Sequence, residues 1–287
     1  MVSLLVEGRW SLRALGEEDV KSAIAFLQRD PMINVYLMSR LLEERSAAAT
    51  QIYAVRHNRA IVLLASLATN IVLAADPGEN EDVLDSAIAM IAERIVARML
   101  PVRAIISPAN LVEKLWARLR TRLDPPTVVR MNQPVYAIRR QFNFPDLTES
   151  RYATVADLDQ LVPACAAMHK EEVGIDPLER DTVGYRERVR ELIDRRRAVV
   201  LVEDSFIASK CEFSAVSDDA VQLMGVWTHP QFRRRGLART LLREVCGHLF
   251  RRGKNVTLFV NDFNLPAVAL YESIGFQRIG MNRALIW

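Results

Sequence analysis

Residues 229–245 read HPQFRRRGLARTLLREV, and in that stretch three consecutive arginines, Arg233, Arg234 and Arg235, run into Gly236. Like charges packed into a turn repel one another, so the arrangement points to an anion among them. The run before it ends in Thr228, His229 and Pro230, and proline cannot continue a strand ladder. After Gly236, the apolar residues Leu237, Leu241, Leu242, Val245 and Leu249 recur at helical spacing. The arginines therefore sit in a strand-to-helix loop. The first amides of a helix have no internal partner, and the helix dipole adds positive charge there, which together suit a phosphate group. Gly236 lets the backbone approach such a group with no side chain in the way, and Ala238 is small enough to do the same.

The usual phosphate-binding rivals are missing. There is no G-x-x-x-x-G-K-[ST] and no G-x-G, which removes the P-loop, the dinucleotide fingerprint and the kinase loop. The other basic clusters have plainer explanations. Arg195, Arg196 and Arg197 end a helical pattern, as do Arg251, Arg252 and Lys254, and cations at a helix end meet its negative pole. Aromatic residues do not interleave these arginines, so nucleic-acid binding is not expected. It stays a third reading, testable by salt-sensitive oligonucleotide binding.

The elements that must hold this loop occur twice. In the first half an opening strand is followed by helical patterns at residues 15–30 and 32–45, then by strand-like runs at 51–56, 60–66 and 70–75. A long helix stops at Pro101, a strand follows at 102–107, and a helix starts near Asn110. Two late strands, TVVRM and VYAIRR, complete that half. The second half repeats the order, with helical patterns at 184–197, 236–252 and 264–275 and three strands between residues 198 and 228. A strand at 255–261 and two short runs, FQRIG and NRALIW, close the chain. A period of about half the chain implies two similar α/β domains rather than a solenoid. The polar segment RQFNFPDLTES, residues 140–150, reads as the linker between them.

Composition sets bounds on this reading. The 287 residues are enough for two domains, 25 % are charged, and the formal net charge is only +3. Three well-separated cysteines, Cys165, Cys211 and Cys246, form no CxxC pair, so neither a disulfide framework nor a metal site is expected. They read as reduced packing residues of a cytoplasmic protein. No signal sequence is visible, and the apolar run at 60–75 is too short to span a bilayer.

The loop pattern R-x-x-G-x-A at Arg233–Ala238 follows a strand reading VWTHP. Beyond it come a strand ending in Asn261 and then N-x-x-A-x-x-x-Y-x-x-x-G-F from Asn264 to Phe276. This ensemble resembles the GNAT superfamily of N-acetyltransferases over about residues 150–287. By topology alone the first half is similar to a degenerate copy, so the pair resembles tandem GNAT proteins. The resemblance implies an α/β fold of mixed α+β type. It consists of two GNAT-like domains, each a mostly antiparallel sheet flanked by helices: 1–140 non-catalytic, 141–150 a linker, and 151–287 the acetyltransferase.

It also implies acetyl-CoA as cosubstrate, with no metal, and an amine-bearing acceptor, either a small molecule or a protein. Neither nucleic acid nor membrane is an expected partner, and a homodimer stays open. Val226, Trp227 and Thr228 would line the pantetheine arm, with the Val226 amide polarising the thioester carbonyl. The amides of Arg233, Arg234, Arg235, Gly236, Leu237 and Ala238 would hold the pyrophosphate, with Asn261 and Asn264 near the pantetheine or the last helix. Tyr271 would protonate the departing thiolate. For the base, the place where several family members carry a glutamate holds Gln222 here, and an amide is no base. Glu171, Glu172 and Glu212 remain candidates, as does a water chain, while His229 reads as structural or phosphate-adjacent. A non-catalytic acyl-CoA sensor is the alternative function.

The first half supplies an internal control. Where the second half has THPQFRRRGLA, the first has ADPGENEDVLD, residues 75–85, with Asp76, Glu79, Glu81, Asp82 and Asp85 and no arginine. Acids at a helix start satisfy its dipole and repel a pyrophosphate. Trp116 falls near the place of Tyr271, and indole is a far weaker acid. The first domain is therefore expected not to catalyse.

Overall fold

A computed structural model describes residues 9–43 and 51–287. The chain divides into two compact units: Met1–Tyr136 with Phe259–Leu265 and Arg278–Trp287, and Ala137–Leu258 with Pro266–Gln277.

In chain order the first elements are β1 (Trp10–Ala14), α1 (Val20–Leu27), α2 (Val35–Glu43), β2 (Ile52–His57), β3 (Ala60–Leu67) and β4 (Asn70–Ala75). Then come α3 (Glu81–Ala97), β5 (Ala104–Pro108), α4 (Ala109–Leu119) and β6 (Val128–Ile138). The strands β1 to β4 pair antiparallel in sequence, and β4 pairs parallel with β5. The buried residues sort by strand alternation onto the two faces of this sheet. Val55, Leu63, Ala65 and Leu73 pack with Ile88 and Ile91 of α3. Ala54, Leu64 and Ala74 pack with Phe26 of α1 and with Leu37 and Leu41 of α2. Helices on both faces explain why these strands read as continuous apolar runs instead of alternating ones.

The second set is β7 (Ser150–Tyr152), α5 (Leu158–Val173), α6 (Pro177–Arg180), α7 (Thr182–Asp194), β8 (Ala198–Glu203), β9 (Phe206–Val216) and β10 (Ala220–Thr228). It continues with α8 (Leu237–Arg251), β11 (Asn255–Phe259), α9 (Leu265–Ile274) and β12 (Gln277–Ile286). Here β7 to β10 pair antiparallel in sequence and β10 pairs parallel with β11. Both units therefore have four antiparallel strands, then a helix, a parallel strand and a further helix in the same order, as the repeat implies. The α6 helix, capped by the Asp176 side chain and started by Pro177, was not expected from the sequence.

Three details differ from the sequence reading. TVVRM and VYAIRR lie on one strand, β6, despite Pro134 between them, and FQRIG and NRALIW likewise form the single strand β12. The last strand also belongs to the first unit, where it pairs antiparallel with β5 from Asn282↔Pro108 to Ile286↔Ala104. Residues 259–265 join the same unit through Val260 N–H and Asp262 N–H, which donate to the Pro134 and Asn132 carbonyls. Finally, residues 140–150 are docked. Phe144 is buried and stacks on Phe142 and Phe250, and a Cβ at Gly247 of α8 would lie 1.9 Å from the Pro145 carbonyl oxygen. The helix expected at 32–45 is observed over Val35–Glu43, and residues 44 and 45 lie outside the described ones.

Candidate active site

In the second unit the parallel ladder between β10 and β11 has three registered pairs, Ala220↔Asn255, Val221↔Val256 and Gln222↔Thr257, and β10 then runs on to Thr228. On its other side β10 breaks register with β9: Met224 faces Glu212 and Trp227 faces Lys210, so Gly225 and Val226 oppose Cys211 alone. Two residues against one, with the first a glycine at φ +59°, is a β-bulge of the left-handed glycine type. Val226, expected to polarise the thioester, is the second residue of this bulge.

Beyond β10, His229 caps a short turn at Pro230–Phe232, accepting from the Gln231 amide at 3.3 Å, and packs edge-on to Trp227 and Phe232. The structural part expected for it matches this packing. Arg234 takes a left-handed conformation at φ 62° and Gly236 another at φ 83°. A left-handed arginine costs on the order of 1–2 kcal/mol, so its position here points to a purpose in the loop. No side chain caps the start of α8, and nothing lies within 4 Å of where a Gly236 Cβ would stand. The amides of Leu237 and Ala238 therefore enter α8 without a side-chain cap, next to the arginines.

Those arginines are less crowded than their sequence suggests. Arg233 makes a two-pronged contact with Glu171 of α5, at 2.8 and 2.7 Å, and its Nε donates to the Thr228 carbonyl at 3.0 Å. Arg235 pairs with Glu203 and lies over the Phe232 ring. Arg234 is exposed and has no ion pair among the described residues. Two of the three charges are thus answered within the unit, and that of Arg234 is not. Glu171 also accepts from the indole N–H of Trp227, which is buried, at 3.2 Å. It ties the end of α5 to both β10 and the loop. The Thr228 hydroxyl lies 3.1 Å from that of Ser209 on β9.

Tyr271 of α9 is 7 % exposed and packs against Phe276. Burial raises its phenol well above the ordinary tyrosine range. Glu172 is exposed in the last turn of α5. Glu212 is buried, at 2 % exposure, against the ammonium group of Lys210. Burial alone would raise its carboxyl, but the Lys210 charge and hydrogen bond outweigh that and lower it. A base needs the opposite shift. Gln222 is also buried, and its side-chain oxygen accepts from Ser214 at 3.0 Å.

Asn261 and Asn264 fall in the first unit. Asn261 is buried and accepts from Gln133 Nε2 at 3.0 Å, and its carbonyl takes the Asn264 amide at 2.9 Å.

The corresponding loop of the first unit is closed. Asn80 caps α3, its side chain accepting from the amides of Asp82 and Val83 at 2.8 and 3.3 Å. Asp76 pairs with Arg29 and accepts from the Gly78 amide at 3.0 Å. Where β4 would part from β5, the Leu73 amide donates to the Ser107 hydroxyl at 2.8 Å. Trp116 of α4 sits edge-on to Trp287.

Sequence reasoning did not find Lys210, Gly225 or the carboxylate of Glu203. A glycine in the middle of a strand is a signal for a bulge, and LMGVW carries one.

Residues 214–286 match the family model described as FR47-like protein, and residues 50–161 match a domain of unknown function, DUF4081. A GNAT-family acetyltransferase from Colwellia psychrerythraea superposes with a TM-score of 0.58 at 12 % identity, covering 97 % of this chain and 100 % of its own. A tandem GNAT protein from the clavulanic acid biosynthesis pathway gives 0.56 at 14 % identity, covering 97 % and 98 %. Likeness at such identity shows the fold, and the fold is the tandem GNAT one. Among curated sequences, the N-alpha-acetyltransferase RimI of Mycobacterium tuberculosis is 48 % identical over 54 residues, which is 19 % of this chain and 33 % of the relative. The [ribosomal protein bS18]-alanine N-acetyltransferase of Salmonella typhimurium is 39 % identical over 85 residues, 29 % of this chain and 56 % of the relative. The chain thus spans between a third and about half the length of these two relatives. The chain is thus similar to N-acetyltransferases in part of its length and to tandem GNAT proteins in fold, with a match to FR47-like protein at residues 214–286 and to DUF4081 at residues 50–161.

The described residues contain no helix long and apolar enough to cross a membrane and no cluster of three metal-ligating side chains.

Proposed function

We propose that the second unit binds acetyl-CoA and transfers its acetyl group directly to a primary amine. The observation that carries this reading is the difference between two helix starts in equivalent places. That of α8 is uncapped, glycine-led and beside an unpaired arginine, whereas that of α3 is capped by Asn80 among acids. An uncapped helix start beside a cation fits a diphosphate, and a capped one among carboxylates does not.

The thioester of acetyl-CoA supplies an activated acyl group. On this reading the amides of Arg233–Ala238 hold the diphosphate, with Arg234 adding its free charge, and Val226–Thr228 align the pantetheine arm. The Val226 amide, set by the bulge, donates to the thioester carbonyl as negative charge builds on that oxygen. The amine nitrogen bonds to the carbonyl carbon and the carbon–sulfur bond breaks. Tyr271, kept protonated by burial, donates to the departing sulfur. Glu172, open to water in the last turn of α5, takes the amine's proton. Asn261 and Asn264 are kept as coenzyme-side residues by the resemblance only. The first unit, its helix start occupied, contributes no chemistry.

Curated relatives named as alanine N-acetyltransferases make a protein amino terminus the first acceptor to assay. Three free, buried thiols suit a reducing, cytoplasmic setting. The test is calorimetric titration with acetyl-CoA, followed by thiol release in the presence of amino-terminal peptides and small primary amines. Binding with amine-dependent release is expected. Absence of binding removes the reading. The buried amide of Gln222 favours one alternative, an acyl-CoA sensor, which would bind without releasing thiol toward any amine and would be indifferent to Tyr271→Phe.

A further inference from the structure

The second unit holds an ion pair buried in its sheet. Lys210 is completely buried and Glu212 is 2 % exposed, with their side chains in direct contact. The Cys165 thiol of α5 donates to Glu212 Oε1 at 3.3 Å. Removing two charges from water is costly, and well-packed apolar residues of similar volume commonly serve a core as well or better. Such a pair calls for a purpose beyond packing.

What the pair touches is the bulge. A Cβ built on Gly225 would lie 2.9 Å from Glu212 Oε1 and 3.1 Å from Lys210 Nζ, so the left-handed glycine rests directly on both charged groups. The register places them on either side of it, Met224 opposite Glu212 and Trp227 opposite Lys210. A bulge leaves extra backbone out of the ladder, and a one-residue slip there would turn every later side chain to the other face. The charged pair leaves no room for a side chain at Gly225 and so opposes such a slip.

We infer that Lys210 and Glu212 are positioning residues that fix the Gly225–Val226 bulge and thereby aim the Val226 amide at the thioester carbonyl. The inference rests on the acetyltransferase reading above. Neither side chain reaches substrate. Both act through the backbone, and an amide held in advance is what stabilises a developing oxyanion.

The test uses the full chain and the double variant Lys210→Met with Glu212→Leu, which removes both charges at similar volume and strands neither. Bound acetyl-CoA carrying a 13C-labelled acetyl carbonyl reports amide donation as a lowering of its infrared stretch. The wild type is expected to show that lowering. The folded double variant should lose at least half of it, bind acetyl-CoA within about threefold of wild type, and turn over at least tenfold more slowly at unchanged KM for acetyl-CoA. A double variant with wild-type carbonyl stretch and kcat overturns the inference and leaves the acetyltransferase reading intact. Failure of the wild type to bind acetyl-CoA overturns both.

Should the double variant not fold, Glu212→Gln keeps an acceptor beside Lys210 and removes only the charge. A buried lysine without its partner ionises lower, so kcat and the carbonyl shift in Glu212→Gln should fall with rising pH across a range where the wild type is flat. The same pH profile in both proteins overturns the inference.

Discussion

Arg234→Glu tests the loop at its one unanswered charge. Arg233 and Arg235 are held by Glu171 and Glu203, and Arg234 has no carboxylate partner among the described residues. Replacing it with glutamate changes the local charge by two. Against a diphosphate carrying about two negative charges at ~6 Å, each unit pair in water is worth ~0.7 kcal/mol, which gives ~3 kcal/mol before screening. With a Debye length of about 8 Å at physiological ionic strength, roughly half survives, ~1.4 kcal/mol or a tenfold rise in Kd for acetyl-CoA. At 1 M salt the Debye length of about 3 Å leaves an effect of about twofold. Calorimetry at both salt concentrations measures this. S-acetylpantetheine, which lacks the diphosphate, serves as the control, and its binding should not change. Equal affinity of wild type and Arg234→Glu for acetyl-CoA at 0.15 M salt would refute the reasoning, as would an equal loss with S-acetylpantetheine.

Four further outcomes follow from the structure. Tyr271→Phe should leave acetyl-CoA affinity unchanged and lower kcat by about a hundredfold, as steady-state kinetics beside calorimetry will show. Glu244, buried in α8, accepts from the amides of Glu149 and Ser150 and from the hydroxyls of Thr148 and Ser150. Glu244→Gln should cost ~2–3 kcal/mol in urea unfolding by leaving donors unmet. Hydrogen bonds from Arg151, with help from Thr154 and against burial, lower the Asp157 carboxyl from 3.8 to about 2. A depressed folded-state pKa adds stability above the unfolded value and loses it as pH falls through the folded one, so the loss falls between pH 4 and 2. Asp157→Asn should flatten that part of the stability curve. Burial pushes the Cys165 and Cys211 thiols up to about 12 and raises Cys246 as well. Native protein at pH 8 should therefore show no fast-reacting thiol toward a disulfide reagent, and unfolded protein three.

Where local chemistry decided the structure, the sequence was readable. The proline after β10, the glycine before α8 and the periodic leucines after it placed the loop, and the acids at residues 76–85 marked the closed counterpart. Long-range pairing left no such mark: nothing in NRALIW says that it will lie beside AIISP, because the register is a tertiary choice. TVVRM and VYAIRR read as two strands, and the structure joins them in one. The pair beneath the bulge was hidden for a different reason. In FIASKCEFS, Lys210 and Glu212 alternate with Cys211 and Phe213, which reads as one wet face and one dry. Here both faces are dry, and the two charges answer each other. The acidic residue that meets the loop, Glu171, was among the candidates, but its bond to Arg233 joins residues 62 apart in sequence, which no local pattern shows.

A crystal structure of the full chain soaked with acetyl-CoA tests the central claim most directly. The account predicts density for the diphosphate against the amides of residues 233–238 and for the acetyl carbonyl at Val226, with none at the start of α3. Density at the start of α3, or a saturated soak that leaves the 233–238 loop empty, would contradict it.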